Sequence, residues 1–113
     1  MRKDENHHFE ALSVAREASA ACIMLARKLR NAPGDLKDQL ERAAISFVLN
    51  LAEGAGFQGR QRKHFFSIAY GSAREARACL ELAIAANCVD ANEAEDALEL
   101  VDRVCAMCWK LSH

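Results

Sequence analysis

The sequence predicts an all-α protein, an up-and-down antiparallel four-helix bundle, and three observations carry that prediction. Apolar residues recur at steps of three and four in four separate stretches, the repeat of one helical face. The chain is 51% hydrophobic, rich in alanine and leucine, with one proline and five glycines, a composition that favours long helices. The breaks between the stretches are short, so consecutive helices must run antiparallel. With 113 residues the chain fits a single domain, 1–113, large enough to bury a core without staples.

Helix 1 is expected over about 6–31. Phe9, Leu12, Ala15, Ala18, Cys22, Leu25 and Leu29 share one face, and Pro33-Gly34 ends the run. Helix 2 is expected over 36–55, with Asp35 as N-cap and Asp38 in its first turn. Its core positions are Leu36, Leu40, Ala43, Ala44, Phe47, Leu51 and Ala52, and Gly54, Gly56 and Gly59 stop it. Helix 3 is expected over 60–87, burying Phe65, Ile68, Ala69, Ala73, Ala76, Leu80 and Ala83. Gly71 in its middle costs about 1 kcal/mol against alanine, which implies close approach by a neighbouring helix. Helix 4 is expected over 92–111, with Asp90 to Glu95 supplying capping oxygens and first-turn acids. Its apolar stripe runs Ala94, Ala97, Leu98, Val101, Val104, Cys105, Cys108 and Trp109.

Several functional classes find no support. The formal net charge of −1 gives no global basic field for nucleic acid, so such a role must rest on a local patch. The N-terminal stretch MRKDENHHFE is charged and lacks an apolar targeting core, and no apolar run is long enough to cross a bilayer. The cysteine count is odd, five, so the expectation is a cytoplasmic protein with reduced thiols and no membrane partner. Cys105 and Cys108 fall on the apolar stripe of a helix, where thiols act as small hydrophobes, and no second Cys/His pair completes a metal set. Gly54-Ala-Gly56-Phe-Gln-Gly59 follows a helix rather than a strand, so it reads as a turn and not a phosphate loop. No catalytic residues, cofactor, metal or small-molecule substrate are expected.

The middle of helix 2, residues 43–52, holds no charge. One layer of four helices cannot bury every side of it, so Ile45, Val48 and Leu49 are surplus to a lone bundle. Phe66 and Tyr70 on helix 3 add to that surplus, and together the five predict an interface between copies of the chain.

The stretch from Gln39 to Gly54 carries Gln39, Arg42-Ala43-Ala44, Ser46, Asn50 and Ala52-Glu53-Gly54. It is followed by Phe65, Ala69, Gly71-Ser72 and Glu75. Both motifs, in this order, resemble the family of 23S rRNA intervening-sequence proteins, and the likeness covers nearly the whole chain. The resemblance implies a four-helix bundle assembled as a ring-shaped homopentamer. That family includes the accessory variability determinant of diversity-generating retroelements, a basic pentamer that binds nucleic acid and partners a reverse transcriptase. The present chain departs from it in being near neutral.

Two polar constellations stand out. Asn50 and Glu53 share one face of helix 2, and Ser72 and Glu75 one face of helix 3. Antiparallel packing brings the four together, with Arg42 or Arg74 as counter-charge, in a network that fixes helix register; the alternatives are a catalytic carboxylate pair and side chains that are each solvated or capping. Arg60, Arg62 and Lys63 gather at the start of helix 3, where the helix dipole is unfavourable to cations but suits a phosphate. With Arg74 and Arg77 they make five cations over residues 57–77 against the single acid Glu75. The other reading of these cations is a solvated loop that pairs with acids of a neighbouring copy. Stacking platforms are not evident beyond Phe57, Phe65 and Phe66. The leading expectation is therefore an oligomeric, non-enzymatic module that contacts RNA, DNA or a nucleic-acid enzyme such as a reverse transcriptase through the basic start of helix 3. The alternative is a protein–protein scaffold with no affinity for nucleic acid.

Overall fold

The computed structural model describes the backbone of residues 3–113 and the side chains of residues 10–113. Four helices follow one another: α1 (Lys3–Ala26), α2 (Leu36–Ala55), α3 (Gly59–Ala85) and α4 (Ala91–Ser112). Each packs on its neighbour in sequence, and α4 closes back on α1, an up-and-down bundle measuring 45 × 22 × 19 Å. No strand occurs among the described residues.

Periodicity makes these helices and burial holds them. The core is one cluster in which Leu40, Phe47, Phe66, Leu80, Val101 and Val104 are the largest fully buried side chains. Alanines on all four helices fill the space between them and keep the helices close. The side chain of Phe9, expected in this core, lies outside the described residues.

Helix 1 stops at Ala26, short of the residue 31 that its periodicity predicts. The backbone tightens there, with Lys28 N–H bonding Leu25 O at 2.9 Å, and Arg30 N–H then turns to Cys88 O at 2.8 Å. A bond to the distant α3–α4 connection thus replaces continuation of the helix. Helix 3 ends at Ala85 rather than 87. Asn87 takes a left-handed φ of 60°, its N–H bonds Ile84 O at 3.0 Å, and Cys88 N–H bonds Ala83 O at 2.8 Å. That pair of bonds is the Schellman termination.

Two glycines act otherwise than predicted. Gly54 lies within α2 and is buried; a Cβ there would sit 2.7 Å from a Phe66 ring carbon and 3.1 Å from Phe65 Cβ. There the side chains of α3 pack directly on the α2 backbone. Gly71, expected to play that part, faces open space, and a Cβ built on it meets nothing within 4 Å. Phe66, a candidate for both the interface and the core, is 1% exposed in the core, whereas Ile68, expected in the core, is 39% exposed. Ala52, also expected in the core, is exposed because it lies just past the arc that Leu51 fixes on α2.

Asp35 occupies the N-cap position of α2 without a side-chain capping bond. Asp90 at α4 does better: with Glu93 it closes a capping box, the Glu93 carboxylate accepting the Asp90 N–H at 3.1 Å.

Candidate functional site

The polar network between α2 and α3 is smaller than the sequence suggests and built around a different residue. Ser46 Oγ and Ser72 Oγ lie 2.7 Å apart across the two helices. Asn50 Nδ2 donates to Ser46 O at 2.9 Å and to Ser46 Oγ at 3.1 Å. Arg42, Glu53 and Glu75 are exposed and stand outside this cluster. Ser46 was within reach of the sequence, because it sits one turn before Asn50, but a serine alone gives no signal in an apolar run. Among the described residues no buried side-chain nitrogen or oxygen lacks a partner, and no carboxylate or imidazole bonds either serine. The arrangement locks register; it offers no nucleophile beside a base.

That register aligns an outer face. Pairing of Ser46 with Ser72 puts Ile68, one turn before Ser72, level with Asn50 and Leu49. Ile45 is 47% and Leu49 61% exposed, and they sit one turn apart in the charge-free middle of α2. Val48 and Tyr70 are half-buried and pack against the core instead. Leu82 is exposed further along α3.

The five cations do not form one cluster. Arg62 reaches back to the C-terminus of α2, its Nε and guanidinium nitrogen donating to Gly54 O and Ala55 O at 3.4 Å each. It adds a second bond to Gly54 O, which already accepts the Phe57 N–H at 3.1 Å, and caps Ala55 O in the last turn of α2. Arg77 pairs with Asp102 of α4 at 3.3 Å. Arg74 lies over the Tyr70 ring, 5.7 Å from its centre. Arg60 and Lys63 remain exposed in the first turn of α3, paired with no acid among the described residues. Beside them Phe57 and Phe65 stack on each other, 5.4 Å between ring centres, and close the α2–α3 turn.

A second surface gives no clear signal in the sequence. Periodicity places Trp109 in the buried stripe of helix 4, but it is 51% exposed. Val101, Val104, Cys105 and Cys108 fix the buried arc of α4, and Trp109, one residue past Cys108, falls at its border. Its ring stacks on His113, 4.7 Å between centres, and His113 meets Tyr70 edge-on at 6.0 Å. Tyr70, Arg77, Asp102, Cys105, Trp109 and Lys110 line the groove that results between α3 and α4.

Cys22, Cys79, Cys88, Cys105 and Cys108 are buried free thiols. Burial, then proximity to Cys79, pushes Cys22 up to about 12, and burial, then Cys105, does the same to Cys108. Thiols held protonated are neither nucleophiles nor metal ligands at neutral pH. Among the described residues no three His, Cys, Asp or Glu side chains gather as a metal-binding group, and no helix is long and apolar enough to cross a membrane.

Comparison with known proteins gives one match. A family model described as 23S rRNA-intervening sequence protein matches residues 7–110. None of the curated proteins and none of the solved structures matches the chain.

Proposed function

Because the chain belongs to the 23S rRNA-intervening sequence protein family, and the Ser46–Ser72–Asn50 cluster among its described residues sets no base beside a nucleophile, we propose that it is a self-assembling, non-enzymatic helical module. Copies of the chain cover one another's α2, and the assembly serves as a scaffold for partner proteins. One observation carries this reading: Ile45 and Leu49 stand exposed in a stretch of α2 without charge. Neighbouring apolar side chains on a helix face are costly to leave in water, at about 25 cal/mol per Å². Ile68 on α3 extends the same face. The resemblance puts the copy number at five.

The test is sedimentation equilibrium of the wild type beside Ile45→Lys/Leu49→Lys. The wild type sediments as a multimer, and the variant as a single subunit with undiminished helical circular dichroism. A wild type that stays a folded single subunit at micromolar concentration removes the proposal.

The nucleic-acid reading keeps one specific support, Arg60 and Lys63 beside the free N–H groups of the first turn of α3. Repeated around a ring, such a weak patch gains through multivalency. It ranks second because Arg62 is tied to the end of α2, and Arg74 and Arg77 lie three turns or more further along α3, away from that patch. RNA and DNA retention across a salt series tests it. Arg60→Ala/Lys63→Ala lowers affinity and flattens the salt slope by about 2, roughly one unit for each phosphate-binding cation removed. Arg62 stays in place in that variant because it caps α2. No binding at low salt leaves the scaffold alone.

A further inference from the structure

The groove between α3 and α4 is independent of both the α2 face and the cations at the start of α3. It is an open surface groove of about 510 Å³. Trp109, the one tryptophan in the sequence, forms a wall and keeps half its surface open even after stacking on His113. Tyr70 also lines the groove, with the Arg74 guanidinium over its ring. Arg77 and Lys110 line the groove, and Asp102 is its acid.

The charge is set by the sequence along α4. Residues 90–102 contain six acids and no cation, whereas residues 103–113 contain Arg103 and Lys110 and no acid. The groove lies at the boundary. Arg77 and Lys110 against Asp102 give the lining a net charge of +1, and Arg74 over Tyr70 at its edge raises that to +2 beside the exposed Trp109 ring. A purely apolar ligand would leave Lys110, which pairs with no acid among the described residues, without a counter-charge, and a bare anion would leave the rings idle. A single carboxylate would answer half the charge. A phosphomonoester carries about −1.5 to −2 at neutral pH and matches it. Nucleobases stack on aromatic faces and phosphates pair with guanidinium and ammonium groups.

We propose that the α3–α4 groove binds a nucleobase carrying a phosphate, the base against Trp109 and the phosphate at Arg77 and Lys110. Arg74 sits at the edge, able to leave Tyr70 for the same phosphate.

The intrinsic fluorescence of Trp109 reads binding directly, because no other tryptophan contributes. Titrate the full-length wild type with AMP, adenosine, inorganic phosphate and oligo(A). AMP and oligo(A) quench saturably, adenosine does so far more weakly, and phosphate alone does not quench. Oligo(A) binding much tighter than AMP identifies the natural source as a strand; equal affinity per base identifies a free nucleotide. Arg77→Gln/Lys110→Gln, its fold checked by circular dichroism, weakens AMP binding about tenfold, as expected from losing charge-assisted hydrogen bonds. Trp109→Ala, followed by calorimetry, weakens it by about fivefold or more, the value of one stacked base. An absence of saturable quenching at millimolar AMP or oligo(A) overturns the proposal, as does quenching that survives the double substitution unchanged. If Trp109→Ala instead dissociates the assembly while AMP leaves the wild type untouched, the groove is an interface between copies and the proposal falls.

Discussion

At Gly54 two effects oppose each other. Alanine is the better helix former by about 1 kcal/mol in a helix interior. Its methyl would lie 2.7 Å from the ring of Phe66, which is 1% exposed and packed on all sides. Overpacking of this kind costs about 1–3 kcal/mol. Packing wins, so Gly54→Ala should lower the urea midpoint and widen the α2–α3 spacing; a midpoint that rises would mean Phe66 swings aside freely. The motif containing Gly54 is legible in the sequence, but its role is not. A glycine near a helix end reads as a stop, and only the facing Phe66 shows that it is a point of close packing. Ser46 and Trp109 are misjudged for a related reason. Periodicity gives the direction a side chain leaves its helix, and it is silent on what waits there.

Whole elements are easier to read than single residues. Both ends of α2 are predicted to the residue and those of α4 to within one, because glycines and an acidic first turn mark them locally. The end of α1 is not legible, since Arg30 N–H bonds Cys88 O, a residue far away in sequence. The same arginine reaches Glu93 at 3.2 Å and Asp90 at 3.8 Å, so the α1–α2 connection is clasped to the start of α4. Glu93 is held below its ordinary 4.5 by the Asp90 N–H first and by Arg30 next. A depressed carboxylate stabilises the fold above its unfolded value and loses that contribution as pH falls through the folded one. Glu93→Gln should therefore be less stable than wild type near neutrality. The two should converge as pH drops below about 4.5. Amide exchange in the first turn of α4 would locate the loss, and a difference that persists undiminished into acid would sever the link to ionisation.

At the scale of the whole molecule, the outward side of α3 carries the most informative unexplained residue. Gly71 sits mid-helix with nothing within 4 Å of where a Cβ would stand, with the small Ser67 and Ala78 on the same side and the long Arg74 and Glu75 between them at its rim. Within one subunit the glycine is a pure cost, about 1 kcal/mol of helix propensity with no packing in return. Small residues on an outer helix face let another backbone come near, and Ile45, Leu49 and Ile68 supply apolar surface on the adjoining side. Both features suit the proposed assembly if a neighbouring copy lies across α2 and α3. Gly71→Ala then has effects of opposite sign on two equilibria. The dissociated subunit should gain about 1 kcal/mol in chemical denaturation, because the methyl meets only solvent. The assembly should loosen, because the same methyl enters the space a neighbour occupies, and sedimentation at several concentrations would show a larger dissociation constant. A gain in subunit stability with association left unchanged would place the interface on α2 alone. No gain at all would mean that α3 owes its helicity at this turn to something other than local propensity.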